Sequence, residues 1–336
     1  MRNLLLAFVV FLSFLEFAAP ASAAELQVAV TTPDLASLAQ AVGGDDVEVT
    51  AFVRGGQDPH FIEARPSFIR ALSRADLFVH VGLQLEVGWA PALLRSARNS
   101  RVQPGAEGNL DASTAVPLLG ALSGVVDRSM GDVHAAGNPH YLTDPVDGLR
   151  VARAIRDRLS LLRPELAERF AARTSAFETA LITRLVGASL VEKHGSAPLV
   201  AAVLEDRLDE MLAGEAPGGW LGAMRPYRGA QVVADHDLWP YFAKRFGLEV
   251  AAFLEPLPGI TPTTKHLSEV AVLIEERGIR AILSSSYFHP RYAEKLAAAT
   301  GARVVLMANQ VGARPGVDDY LAMTDWNVEK LTDVLR

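Results

Sequence analysis

The chain has 336 residues, 50% hydrophobic and 21% charged, with 32 basic against 39 acidic side chains and a formal net charge of −7. That composition fits a folded protein of two domains at ~100–200 residues each, and it lacks the strong basic excess expected of a nucleic-acid binder. No cysteine occurs, which excludes disulfides, thiolate zinc sites, iron–sulfur clusters and cysteine nucleophiles and leaves any metal to imidazole and oxygen ligands.

Residues 1–23 read as a secretory signal peptide: Arg2, an apolar stretch from Leu4 to Phe17, then Ala21-Ser22-Ala23 as a cleavage site. The apolar run is shorter than the ~20 residues that span a bilayer and contains Glu16. A lipoprotein needs a cysteine after its signal, so the expectation is a soluble periplasmic protein without a membrane anchor.

Short apolar runs then alternate with segments of helical spacing. Leu26 to Thr31, Val47 to Val53 and Leu77 to Val81 are expected as strands, with helices over Leu35 to Val42 and Ser67 to Ser73. Ala106 to Ala136, rich in Gly, Ala, Ser and Asp, reads as a surface loop. From about Asp147 to Val191 the strand signal disappears, and one helix is expected from roughly Glu165 to Leu190, with Pro164 in its first turn. Strand candidates resume at Leu199 to Leu204, Gln231 to Ala234, Leu248 to Leu254, Arg280 to Leu283 and Arg303 to Met307. Between them lie helices over Leu238 to Phe246, His266 to Arg277 and Arg291 to Thr300. The expected fold class is α/β, with two parallel-sheet lobes joined by one long rigid helix. The lobes are expected at 24–146 and 194–336, with a helical connection at 147–193.

Three of the eight histidines stand in loops that follow strands or turn elements. His60 lies in Gly55-Gly56-Gln57-Asp58-Pro59-His60, His140 in Gly137-Asn138-Pro139-His140, and His236 between Asp235 and Asp237. Open α/β sheets bind ligands beyond the carboxyl ends of their strands, so imidazoles from both halves can meet around Zn²⁺ or Mn²⁺ in an interlobe cleft. Taken singly, each reads more readily as a surface-loop histidine; three in comparable positions shift the balance. His134 is a possible accessory metal contact and His289 a candidate for the cleft. His80 reads as a strand residue, His194 as a charge partner at a helix end, and His266 as a residue of a first helical turn. No nucleophile elbow, phosphate loop or H-E-x-x-H motif occurs.

The chain resembles the cluster A-I, or ZnuA/TroA-like, family of solute-binding proteins that deliver zinc or manganese to ABC importers. The resemblance rests on Gln57-Asp58-Pro59-His60, Gly131-Asp132-Val133-His134 leading to Asn138-Pro139-His140-Tyr141, Asp235-His236-Asp237-Leu238-Trp239-Pro240, and Glu255-Pro256 through Pro258-Gly259. It implies metal ligation by His60, His140 and His236, and an all-imidazole trio implies Zn²⁺ before Mn²⁺. It also implies a monomeric, non-enzymatic carrier that partners an ABC permease. The same fold with manganese or iron as cargo, or a secreted metal-dependent hydrolase, are the alternatives. The family's usual fourth ligand, an Asp after the last strand, is replaced by Met307-Ala308-Asn309-Gln310. Water, Asn309, His134 or the Asp318-Asp319 pair are left to fill the position. Asp58, Glu63, Asp144, Asp235 and Asp237 are the candidates to orient the imidazoles. Release is expected through distortion by the permease or through mild acidity.

Overall fold

The computed structural model describes residues 25–121, 134–256 and 259–336. The signal-peptide residues lie outside them. Two four-stranded parallel sheets carry the chain. The first contains β1 (Leu26–Val30), β2 (Val47–Ala51), β3 (Leu77–His80) and β4 (Asn109–Asp111) in the order β2-β1-β3-β4. The second contains β5 (Gln231–Ala234), β6 (Glu249–Phe253), β7 (Ala281–Ser284) and β8 (Arg303–Leu306) in the order β6-β5-β7-β8. The central strands read as apolar runs, Val28, Ala29 and Val30 in one and Val232, Val233 and Ala234 in the other, because helices cover both faces of each sheet. In each sheet the chain leaves the first strand for one side and returns on the other. That reversal opens a crevice beyond the strand ends.

Strand β4 lies inside the segment expected to be a loop, followed by a 3₁₀ turn over Ala112–Ala115. Three residues are too short to show a period, and β4 exists through pairing with β3, Val79 facing Leu110. Leu199 to Leu204, expected as a strand, belongs instead to the helix Ser196–Leu204. A short continuous apolar run fits a buried helix as well as a buried strand.

The connection also differs from expectation. It begins with an 18-residue helix, Pro145–Leu162, capped by Asp144, whose carboxylate accepts from the Val146 amide. Pro164 sits in a separate 3₁₀ turn, Pro164–Leu166, and the helix that follows covers only Ala167–Val186. Gly187, at φ 90°, ends it before the short helix Ala188–His194. Its 20 residues make a rod of about 30 Å. This rod packs on the helix Pro33–Gly43 of the first half and on Gly219–Met224 of the second.

The last helix, Tyr320–Leu335, adds a second tie. The Tyr320 hydroxyl bonds the Leu142 and Asp144 carbonyls, and its amide donates to Ser37 Oγ. Gly55 and Gly312 bring the halves so close that a Cβ on Gly55 would stand 2.1 Å from the Gly312 carbonyl carbon. Among the described residues no helix is long and apolar enough to cross a membrane.

Candidate metal centre

The strand ends of the two sheets meet at four imidazoles. His60 lies in the loop after β2, and His236 stands two residues beyond the end of β5. His140 precedes the 3₁₀ turn Tyr141–Thr143, and His134 stands six residues before it. Ring centroids are 5.7 Å apart for His60 and His140, 5.9 Å for His140 and His236, and 6.4 Å for His60 and His236. His134 is 5.2 Å from His60, and their Nε2 atoms face each other at 3.1 Å.

Zinc–nitrogen bonds of about 2.0–2.1 Å place tetrahedral donors about 3.3 Å apart and imidazole centroids about 5 Å apart. The His60–His134 pair already has that spacing, while the other pairs stand slightly wider. Among the described residues no group of three or more His, Asp or Glu side chains stands with its donor atoms placed to hold a metal ion.

Two carboxylates orient the rings. Asp58 Oδ1 lies 2.7 Å from His60 Nδ1 and accepts the His60 amide at 2.9 Å. Glu255 Oε2, after β6, lies 2.7 Å from His236 Nδ1. A ring that donates from Nδ1 to a carboxylate leaves its Nε2 lone pair free for a metal. Burial works to raise the Asp58 carboxyl, but its bonds to His60 outweigh that and bring it below the ordinary range. Phe288 stacks on His236 at 5.3 Å and shields it from solvent.

The remaining acids expected to orient the rings do other work. Asp235 accepts the His236 amide, the Ser285 amide and the Ser285 hydroxyl, so it shapes the loop and does not touch the ring. Burial, opposed by the Ser285 bonds, raises it to about 6. Asp237 accepts from the Asn138 side chain, which itself accepts the His140 amide, so Asn138 ties the His140 loop to the His236 loop. Asp144 caps a helix and pairs with Arg245. Glu63 is exposed on an open cavity of about 570 Å³ beside His60 and His134. Glu255 was not among the candidates. Its signal was an acid immediately beyond a strand end, before Pro256.

Of the fourth-ligand candidates, only His134 joins the cluster through a direct contact. Asn309 Oδ1 accepts from the Ser286 amide and hydroxyl. Asp318 and Asp319 are exposed, and Asp319 caps the last helix. The other histidines are engaged elsewhere: His80 with Asn109, His194 with Glu215, His266 with the Phe253 carbonyl, and the exposed His289 with the Arg291 amide.

Burial, then the neighbouring His60, pushes His134 down to about 4, and the same two causes hold His140 well below its ordinary value. Both rings therefore favour the uncharged form. Neutral imidazole is the metal-binding form.

A family model described as "Zinc-uptake complex component A periplasmic" (ZnuA) matches residues 28–184 and 222–334. The chain belongs to that family. Its members are periplasmic solute-binding proteins of metal ABC import systems, and they transport without catalysing a reaction. The high-affinity zinc uptake system protein ZnuA of Paracoccus denitrificans is 24% identical over 95% of this chain and 94% of its own length. The iron ABC transporter substrate-binding lipoprotein MtsA of Streptococcus pyogenes is 21% identical over 93% and 89%. A crystal structure of ZnuA, 21% identical, superposes with a TM-score of 0.68 over 92% of this chain and 99% of its own. That fold is the family's two-lobe α/β architecture.

Proposed function

We propose that this protein captures Zn²⁺ between its lobes with His60, His134, His140 and His236 and hands it to an ABC permease for import. The observation that carries the reading is the convergence of four imidazoles from separate segments, three from one lobe and one from the other. A set of imidazole nitrogen donors suits zinc, whereas manganese favours carboxylate and water ligands in an octahedral shell. The two rings with depressed protonation offer lone pairs at neutral pH, and Asp58 and Glu255 aim the other two. Release would follow from distortion of the site by the permease or from protonation of the ligating imidazoles.

In this reading residues 1–23 direct export, no lipid anchors the mature chain, and it works as a monomer with lobes at 24–146 and 194–336. The ligation is tested by titrating metal-free protein with zinc against a manganese competitor. One Zn²⁺ per chain is expected, undisplaced by equimolar Mn²⁺. Single replacements of His60, His134, His140 or His236 by Ala are expected to weaken zinc by about 10²–10³-fold, a quarter of a binding free energy of about 10–16 kcal/mol. Unchanged affinity in all four variants would refute the site. Preferential retention of manganese or iron would change the cargo.

A further inference from the structure

The turn that follows β3, residues 81–89, touches every segment that brings an imidazole from the first lobe. Trp89 Nε1 donates to the Pro59 carbonyl at 2.9 Å, directly before His60. The hydroxyl of Tyr141, directly after His140, donates to the Val81 carbonyl at 2.7 Å. His134 lines one open cavity together with Gln84 and Leu85 of this turn. Leu83 and Gln84 both hold left-handed backbone, at φ 51° and 68°. Side-chain-bearing residues keep such a conformation only where the surroundings impose it.

Within the same turn lies Glu86, 4% exposed. Its Oε1 accepts the Val81 amide at 2.7 Å and the Thr31 hydroxyl at 2.7 Å, and its Oε2 accepts the Gly82 amide at 3.1 Å. One carboxylate thus joins the end of β1 to both amides that start the turn.

We infer that Glu86 is a positioning residue for the metal centre, setting through one turn the mutual geometry of His60, His134 and His140 without touching the ion. The inference rests on the zinc site proposed above. Glu255 aims a single ring, whereas Glu86 spaces three. Its loss should therefore change the coordination geometry as well as the strength of binding.

The test uses the full-length mature protein loaded with Co²⁺, whose visible bands report coordination number, alongside zinc titration. Glu86→Gln keeps the shape but presents an amide group to backbone donors. The expected result is a folded protein with zinc affinity lowered about 10–100-fold and cobalt bands weakened toward higher coordination. Thr31→Val removes one of the three bonds and should retain the wild-type bands. If Glu86→Gln does not fold, Trp89→Phe and Tyr141→Phe each remove one link from the turn to a histidine segment, and altered cobalt bands in either support the inference. Wild-type bands and affinity in folded Glu86→Gln, or in both substitutes, overturn it while leaving the zinc site standing. A wild-type chain that binds no metal overturns both.

Discussion

The two sheets have the same strand order, yet they contribute unequally to the cluster of imidazoles. The first lobe delivers three imidazoles, two from loops on either side of Asn138 and one after β2, and braces them on a single turn. The second delivers one, His236, backed by Glu255 and covered by Phe288. Topology alone therefore does not decide what a strand end carries. On the proposed ligation, a lobe with three donors would hold most of a tetrahedral site by itself, with the fourth bond fastening the other lobe to it. The hydrogen bonds that already cross the cleft favour that division. Gln310 donates to the Gln57 carbonyl, the Val311 amide to Asp34, and Arg245 to Asp144.

The largest effect expected from this asymmetry is on the acid response of the metal-free protein. His134 has a folded value of about 4 against an unfolded value near 6.5. Above both values the ring is neutral in either state and contributes no pH dependence. As pH falls through 6.5 the unfolded chain takes the proton first, so stability is lost progressively until about pH 4. The loss attributable to His134 is at most about 3–4 kcal/mol. Asp34 and Asp147, raised to about 7 mainly by burial, act with the opposite sign, because the folded state binds their protons first as pH falls. Comparing wild type with His134→Ala cancels those acids. The variant should gain stability relative to wild type between pH 7.5 and pH 4.5, read from denaturation midpoints in chelator. A difference independent of pH would mean that the first lobe does not hold this ring in its uncharged form.

A second contrast sets the two orienting carboxylates against each other. Asp58→Asn loosens one of three donors in the first lobe, while Glu255→Gln loosens the sole donor of the second. Each should lower zinc affinity by about 10–100-fold, as removal of a partner behind a ligating histidine commonly does. Glu255→Gln should produce the larger loss. Calorimetric titration of the two variants decides the order, and a larger loss in Asp58→Asn would break the asymmetry.

The features legible in the sequence are those with a local cause. Apolar runs predicted seven of the eight strands, and His60, His140 and His236 carried their turn residues with them. Local signals failed where long-range contacts decide. β4 is a strand only because β3 lies beside it, and the helix Ser196–Leu204 is a strand-like apolar run turned helical. Gly187 ends the expected long helix by adopting a left-handed backbone. The carboxylates behind the rings were half legible. Asp58 is two residues from its histidine, whereas Glu255 reaches His236 across 19 positions and only the pairing of β5 with β6 brings them together.

The smallest expected effect concerns how firmly the lobes are joined when no metal holds them. The Tyr241 hydroxyl, in the second lobe, accepts the Leu119 amide at 2.9 Å and donates to the Asn138 carbonyl at 3.0 Å. It thereby clips the segment that leads toward His134 to the loop that carries His140. Tyr241→Phe retains the buried ring and leaves one N–H and one C=O without this partner, at a cost of about 1–2 kcal/mol. Because the imidazoles and their carboxylates remain, zinc affinity should fall less than tenfold while the metal-free midpoint drops, and bound zinc should restore part of the difference. If Tyr241→Phe instead weakened zinc as strongly as Glu255→Gln, the cross-cleft hydrogen bonds would be part of the binding site itself, and three imidazoles in one lobe would not suffice to define it.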